Sequence, residues 1–265
     1  MQGSSFYRFR LGKLEAISEA QAESQKLLVA DSWLVEDGRV RSLQRHFDRF
    51  SGWVRASSKI PEDELETFLG AAKELLPESG RWFPRIELAE PISGGLELRF
   101  RTRPAAEPWT RAILWVDTAP DSRANPWVKG PDLSHCMQLR RKAQLHGASE
   151  AVLVNQSNEV LEGALSSIIW WEKDVLCLPE ADLPWLPSIT RDELLQIAKS
   201  LGTEIKFTRA TVAEVAQRET WILSSLQGFC PVEQWLGFEP VPIRQDRLSN
   251  FQRRLRLFEH SELSR

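Results

Sequence analysis

Cysteine is scarce in this chain, and what little there is excludes two classes of protein. Cys136, Cys177 and Cys230 are odd in number and far apart, so they make no disulfide framework, and no pair has zinc-ligand spacing. All three are expected as buried, unreactive thiols. His46, His135, His146 and His260 likewise show no metal-binding spacing. No apolar run reaches the length of a membrane span, and Met1–Arg10 has none of signal-peptide length, so a cytoplasmic protein is the expectation. Charge of one sign is missing too. Against 34 lysines and arginines stand 37 acidic residues, for a net charge of -3, and the arginines are scattered; a nucleic-acid footprint is not indicated. Tyrosine is reduced to Tyr7 alone.

What is present is an ordinary globular composition, 42% hydrophobic and 27% charged over 265 residues, enough for one large domain or two small ones. The eleven tryptophans are dispersed among apolar neighbours, which suits packing better than an aromatic platform for a bound sugar. Asp37-Gly38 between two short apolar stretches marks a hairpin, followed by a helix from Leu43 to the Trp53 region. Leu65, Phe68, Leu69, Ala72, Leu75 and Leu76 recur at helical spacing between Pro61 and Pro77. Strands are expected at Arg81 to Leu88, Leu96 to Thr102 and Ala112 to Val116, completing an antiparallel sheet with the hairpin. The Pro-rich stretches between 105 and 125 place a domain boundary there. The second half reads as a helix over 132–146, strands near 151–154, 159–161, 168–171 and 175–178, a helix over 190–201 closed by Gly202, and strands near 204–208 and 221–223.

Chemistry enters with Lys129, alone in the apolar and small stretch Asn125-Pro126-Trp127-Val128-Lys129-Gly130, and with Glu162 in Leu161-Glu162-Gly163. Either residue by itself reads as an ordinary loop lysine or hairpin carboxylate. Together they fit pyridoxal 5′-phosphate: a partly desolvated lysine loses its charge and bonds the aldehyde, and a carboxylate holds the pyridine nitrogen protonated. Thr190 and Glu193 match a capping box at a helix start, where free N–H groups and the helix dipole favour a phosphate, although such boxes also begin helices that bind nothing.

These motifs occur in the order Glu36-Asp37-Gly38, His46-Phe47-Asp48-Arg49, Lys129, Glu162-Gly163, Ser188-Ile189-Thr190-Arg191, and Ser224-Ser225-Leu226-Gln227-Gly228 before Pro231-Val232. In that order they resemble the class IV aminotransferase family, the fold-type IV pyridoxal-phosphate enzymes that include branched-chain and D-amino-acid aminotransferases and 4-amino-4-deoxychorismate lyases. The resemblance covers about residues 30–235. It implies an α/β protein of two domains, an N-terminal antiparallel sheet with helices (1–115) and a C-terminal barrel-like domain (116–265) carrying the lysine, with the cofactor in the cleft between them and a homodimer as the assembly.

By the same resemblance Lys129 carries the cofactor and shuttles the proton, Glu162 bonds the pyridine nitrogen, and Arg49, Ile189, Thr190 and Ser225 cradle the phosphate. Arg103 and Ser224 meet the substrate. The implied reaction is amino transfer from an amino acid to a 2-oxo acid. Two departures bear on substrate: Ser188 stands where the family has glycine, and the single tyrosine argues against branched-chain specificity. Ser224 to Gly228 and Arg103 are closer to the lyase, which would act on aminodeoxychorismate to give 4-aminobenzoate and pyruvate. A third reading is an inactive family member acting as a binding protein. Arg99, Arg101 and Arg103 alternate on one strand face, as an anionic substrate or an exposed edge strand would each require.

Overall fold

The computed structural model describes residues 3–117 and 119–261. It divides into two compact units, one running through Glu107 and including Val128–Pro131 and the segment from Phe258, the other formed by Pro108–Trp127 and Asp132–Leu257.

The first unit contains β1 (Ser5–Arg10), β2 (Lys13–Ile17), β3 (Ser24–Ser32), β4 (Val35–Glu36), β5 (Arg39–Arg41), α1 (Leu43–Ser57), α2 (Glu62–Glu74), β6 (Arg81–Trp82), β7 (Arg85–Pro91) and β8 (Glu97–Thr102). Five strands form an antiparallel sheet in the order β2-β1-β8-β7-β3. Alternation sorts its two faces: Leu98 and Phe100 of β8 and Ile86 and Leu88 of β7 enter the core, and Arg99, Arg101, Arg85 and Glu87 take the other side. In α1, Leu43, Phe47, Phe50 and Val54 are buried at helical spacing against that core, and α2 contributes Leu65, Phe68 and Ala72. Complete burial of Phe50 or Phe68 stabilises the unit by roughly 2–3 kcal/mol each. The expected hairpin joins β4 to β5, and Asp37 (φ 48) and Gly38 (φ 71) both adopt the left-handed conformation that a two-residue primed turn demands.

The second unit contains β9 (Ala112–Val116), α3 (Leu133–Leu145), β10 (Glu150–Val154), β11 (Val160–Gly163), β12 (Ser167–Glu172), β13 (Val175–Leu178), α4 (Ile189–Ser200), β14 (Ile205–Phe207), α5 (Val212–Val215), β15 (Thr220–Ser224), β16 (Gly228–Trp235) and α6 (Gln245–Leu255). Its curled eight-stranded sheet has the order β11-β10-β9-β16-β15-β12-β13-β14. Both faces are covered, which is why β12 reads as an unbroken apolar run: Trp170 enters one core, and Trp171 meets Trp221 and Phe251. A last strand, β17 (Glu259–Ser261), returns to the first unit and pairs with β5.

Several expectations change. Ala112 to Val116 belongs to the second sheet, not the first, because α3 supplies the crossover that lets β9 run parallel to β10. The single strand expected over Arg81 to Leu88 is broken at Phe83-Pro84, where proline has no N–H for the ladder. Strands β1 to β3, helix α6 and strand β16 lie where no element was expected. The lysine segment also packs with the first unit, whereas the sequence reading assigned it to the second half. The reason is backbone pairing: Ala30 of edge strand β3 donates its N–H to the Lys129 carbonyl at 2.6 Å. Gly130 permits this approach, with φ 150 and space so tight that a Cβ would fall 2.9 Å from the Leu28 oxygen. The three cysteines are free and buried, as expected.

Candidate functional site

The residues singled out from the sequence fall into two constellations, one in each unit. In the first, Lys129 is half-buried and its backbone extends the edge of β3. One residue further along that strand lies Asp31, fully buried. Its Oδ2 accepts from Arg49 Nε at 2.7 Å, and its Oδ1 accepts from Arg49 Nη2 at 2.8 Å, from His46 Nδ1–H at 2.7 Å and from the Ser32 N–H at 2.8 Å. Burial pushes the Asp31 carboxyl up, but Arg49 and His46 overcome it and hold it below the usual carboxylate range. Burial keeps His46 below its ordinary value. The His46-x-x-Arg49 spacing thus has a physical basis: one turn apart on α1, both side chains grip one buried carboxylate, which no sequence signal had identified.

Arg103 leaves the end of β8. Its Nε donates to the Phe83 carbonyl at 3.2 Å and its guanidinium lies 5.0 Å from the Phe83 ring. Burial, followed by the like charges of Arg101 and Arg85, pushes it down to about 10. β8 is an interior strand between β1 and β7, so the exposed-edge reading of Arg99, Arg101 and Arg103 does not hold. Arg99 is buried, its Nε donating to Glu97 and its Nη1 to the Ala22 carbonyl, while Arg99 Nη2 and Arg101 Nε are buried without a hydrogen-bond partner among the described residues.

In the second unit, β11 presents Glu162 from a position directly across from Leu153 of β10. The glycine after it leaves room for its neighbours: a Cβ on Gly163 would lie 2.2 Å from Ser166 Oγ, 3.1 Å from Glu150 Cγ and 3.2 Å from the Ser166 carbonyl oxygen, so the Ser166 side chain would have to move. Among the described residues, both hydrogen bonds to the Glu162 carboxylate fall on Oε1, from Arg123 Nη1 at 2.6 Å and from the Leu186 N–H at 2.9 Å. Burial pushes this carboxyl up and Arg123 opposes it. The Leu186 bond brings the entrance of α4 to Glu162. That helix is capped by Ser188, whose Oγ accepts from the Arg191 N–H at 3.3 Å. The cap is therefore Ser188 and not the expected Thr190, which lies buried within the first turn. The first-turn N–H groups of Ile189 and Thr190 have no intrahelical acceptor. Arg191, missed in the sequence reading as a site residue, stacks 3.4 Å over Trp185, and its Nε is buried without a partner among the described residues. Burial pushes it down to about 10.

α4 packs on β15, whose end carries Ser224 and Ser225. Ser224 Oγ accepts from the Gln227 N–H at 3.0 Å, and Gln227 Nε2 is a second buried donor without a partner among the described residues. Helix-end N–H groups and orphaned buried donors fit a phosphate, and a carboxylate with one oxygen unbonded fits a protonated ring nitrogen. Pyridoxal phosphate therefore suits this donor set. No cluster of metal-ligating residues occurs among the described residues, and no described helix is long and apolar enough to cross a membrane.

An antiparallel sheet with two helices, joined in one chain to a curled mixed sheet, is the architecture of fold-type IV enzymes. The branched-chain aminotransferase of the thermophilic archaeon Thermoproteus uzoniensis, solved with norvaline, superposes with a TM-score of 0.80 at 16% identity, over 96% of this chain and 95% of that one. A hypothetical aminotransferase from Mycobacterium tuberculosis in its PLP-bound form superposes with a TM-score of 0.77 at 15% identity, over 96% of this chain and 98% of that one. The amino-transferase class IV family profile matches residues 28–235, and the chain belongs to that family. Among curated relatives, a probable branched-chain-amino-acid aminotransferase of Thermotoga maritima is 22% identical over 219 residues, 79% of this chain and 73% of its own length. The branched-chain-amino-acid aminotransferase of Salmonella typhimurium is 27% identical over 92 residues, 35% of this chain. That last match spans only 30% of the relative's length.

Proposed function

We propose that the chain is a pyridoxal-phosphate-dependent aminotransferase that moves an amino group from an amino acid to a 2-oxo acid. The observation that carries the reading is the Glu162 constellation, a buried carboxylate whose Oε2 has no partner among the described residues, tied through Leu186 to a capped helix entrance where Arg191 Nε is a buried donor without a partner among the described residues. Lys129 would hold the cofactor covalently through Nζ, and Glu162 would bond the ring nitrogen. The Ile189 and Thr190 N–H groups and Ser225 would hold the phosphate. Arg49 remains in the proposal as a source of positive charge, with Nε and Nη2 committed to Asp31. When bound, pyridoxal phosphate supplies the electron sink for the substrate's Cα carbanion. The chain would contribute the rest: Lys129 Nζ would take the proton from Cα of the amino-acid donor and, in the second half of the reaction, deliver one to Cα of the 2-oxo acid acceptor, the Glu162 carboxylate would accept from the ring nitrogen, and Arg103 and Ser224 would orient the substrate.

The relatives named above are aminotransferases, which favours amino transfer over the lyase reaction. Retention of both Lys129 and Glu162 favours an enzyme over an inactive binding protein. A cytoplasmic homodimer is part of the proposal. The test incubates the cofactor-loaded protein with a panel of D- and L-amino acids and 2-oxo acids, and in a separate arm with aminodeoxychorismate. Formation of a new amino acid is expected. Release of 4-aminobenzoate and pyruvate without amino exchange would overturn the assignment.

A further inference from the structure

Residues 119–126 read from the sequence as a connection, yet Arg123 in their midst is among the most fully bonded side chains of the second unit. Its Nη1 donates to Glu162 Oε1 at 2.6 Å, and its Nε donates to Asp121 Oδ1 and Oδ2 at 3.1 and 3.0 Å. Its Nη2 donates to Asp121 Oδ2 at 2.9 Å and to the Pro184 carbonyl at 3.0 Å. Asp121 is itself fixed, its N–H donating to the Val154 carbonyl of β10 at 2.8 Å. One planar fork thereby joins three segments: the 119–127 connection, β11 through Glu162, and the Pro184–Leu186 approach to α4. Such geometry needs a guanidinium, because an ammonium cannot serve four acceptors in one plane.

The consequence falls on Glu162. A buried carboxylate rotates between orientations unless its oxygens are held, and it takes up a proton unless a cation opposes burial. Arg123 and the Leu186 N–H hold Oε1 together, which fixes the plane of the carboxylate and leaves Oε2 for a further donor. The attraction of Glu162 and Asp121 outweighs burial and keeps Arg123 charged. We infer that Arg123 is a positioning residue for the cofactor's ring nitrogen: it fixes the orientation of Glu162 and sets a cation beside its Oε1. This rests on the functional reading above and adds to it the group on which Glu162 depends.

The experiment titrates the purified apoprotein with pyridoxal 5′-phosphate and records affinity and the pH dependence of the bound cofactor's visible absorption. It compares wild type, Arg123→Gln, Arg123→Lys, Glu162→Gln and the Arg123→Gln/Glu162→Gln double variant. Arg123→Gln is expected to weaken binding at least tenfold and to displace the pH profile, with Arg123→Lys recovering part of both. In the Glu162→Gln background the Arg123 substitution is expected to add little, since both act through one contact. Additive effects, or an Arg123→Gln profile identical to wild type, would overturn the inference. Should Arg123→Gln fail to fold, Asp121→Asn loosens the same fork, and an unaltered profile there would also overturn it. Wild-type protein that binds no pyridoxal phosphate would overturn the functional reading itself, and this inference with it.

Discussion

Replacing Gly130 by alanine perturbs the position of Lys129 without touching its side chain. At φ 150 the residue occupies a region open essentially to glycine alone, and entering it costs an L-residue about 1–3 kcal/mol. The added Cβ would lie 2.9 Å from both the Leu28 oxygen and the Val29 Cα, which are backbone atoms of β3 and cannot rotate away. Relief requires the segment to lift from the strand, losing the 2.6 Å bond from Ala30 to Lys129, worth about 1 kcal/mol. The total, about 2–4 kcal/mol, corresponds to roughly a 30- to 1,000-fold loss of the docked state. Equilibrium titration with pyridoxal phosphate and thermal unfolding measure it. Affinity is expected to fall at least tenfold, with Tm lowered by roughly 8–16 °C if the loss reaches the whole unit. Gly52→Ala is the control, because that helical position is open and its φ is not positive; it should be neutral or slightly stabilising. Unchanged affinity and Tm in Gly130→Ala would refute the claim that β3 docking sets the position of the lysine.

Other outcomes follow from buried charge. Asp31→Asn removes the negative charge that Arg49 and His46 share in a buried setting, so stability should fall by about 3–5 kcal/mol in denaturant titrations. Because the Asp31 carboxyl is held below its unfolded value of about 3.9, its contribution is present above that pH and lost as pH falls; wild type and variant should converge toward acid. Glu150 behaves oppositely. Burial raises it from 4.5 to about 7, so it favours folding below pH 4.5 and costs stability as pH rises through about 7. At about 1.4 kcal/mol per pH unit the cost is at most about 3.5 kcal/mol. Glu150→Gln, which keeps the shape, should therefore gain stability over wild type at pH 8 and lose that advantage at pH 4; an advantage independent of pH would contradict the account.

Much of the architecture was readable wherever one local rule dominated. Asp37-Gly38 demanded a primed turn, the Leu65 to Leu76 spacing demanded a helix, and β12 and β13 were plain apolar runs between polar turns. Failures came where tertiary pairing decided. β1 and β2 are largely half-buried or exposed and carry no clean alternation, and β16 contains Pro231, which speaks against a strand. α6 holds Leu248, Phe251 and Leu255 among polar residues, too few for a local signal, although each is buried. Of the proposed site, Glu162, Ile189, Thr190 and Ser225 could be put forward from the sequence because their motifs are contiguous in it. Asp31 and Arg123 could not, since their meaning lies in partners 18 and 39 positions away that only folding brings near. Arg191 lay in plain view within its motif; only its burial over Trp185 marks it out.

The central claim concerns a covalent bond at one amine, and mass spectrometry reads it directly. The protein loaded with pyridoxal 5′-phosphate, reduced with borohydride and digested, should carry the phosphopyridoxyl mass on the peptide containing Lys129 and on no other lysine peptide, and Lys129→Ala should carry none. Modification elsewhere, or undiminished labelling of Lys129→Ala, would contradict the account.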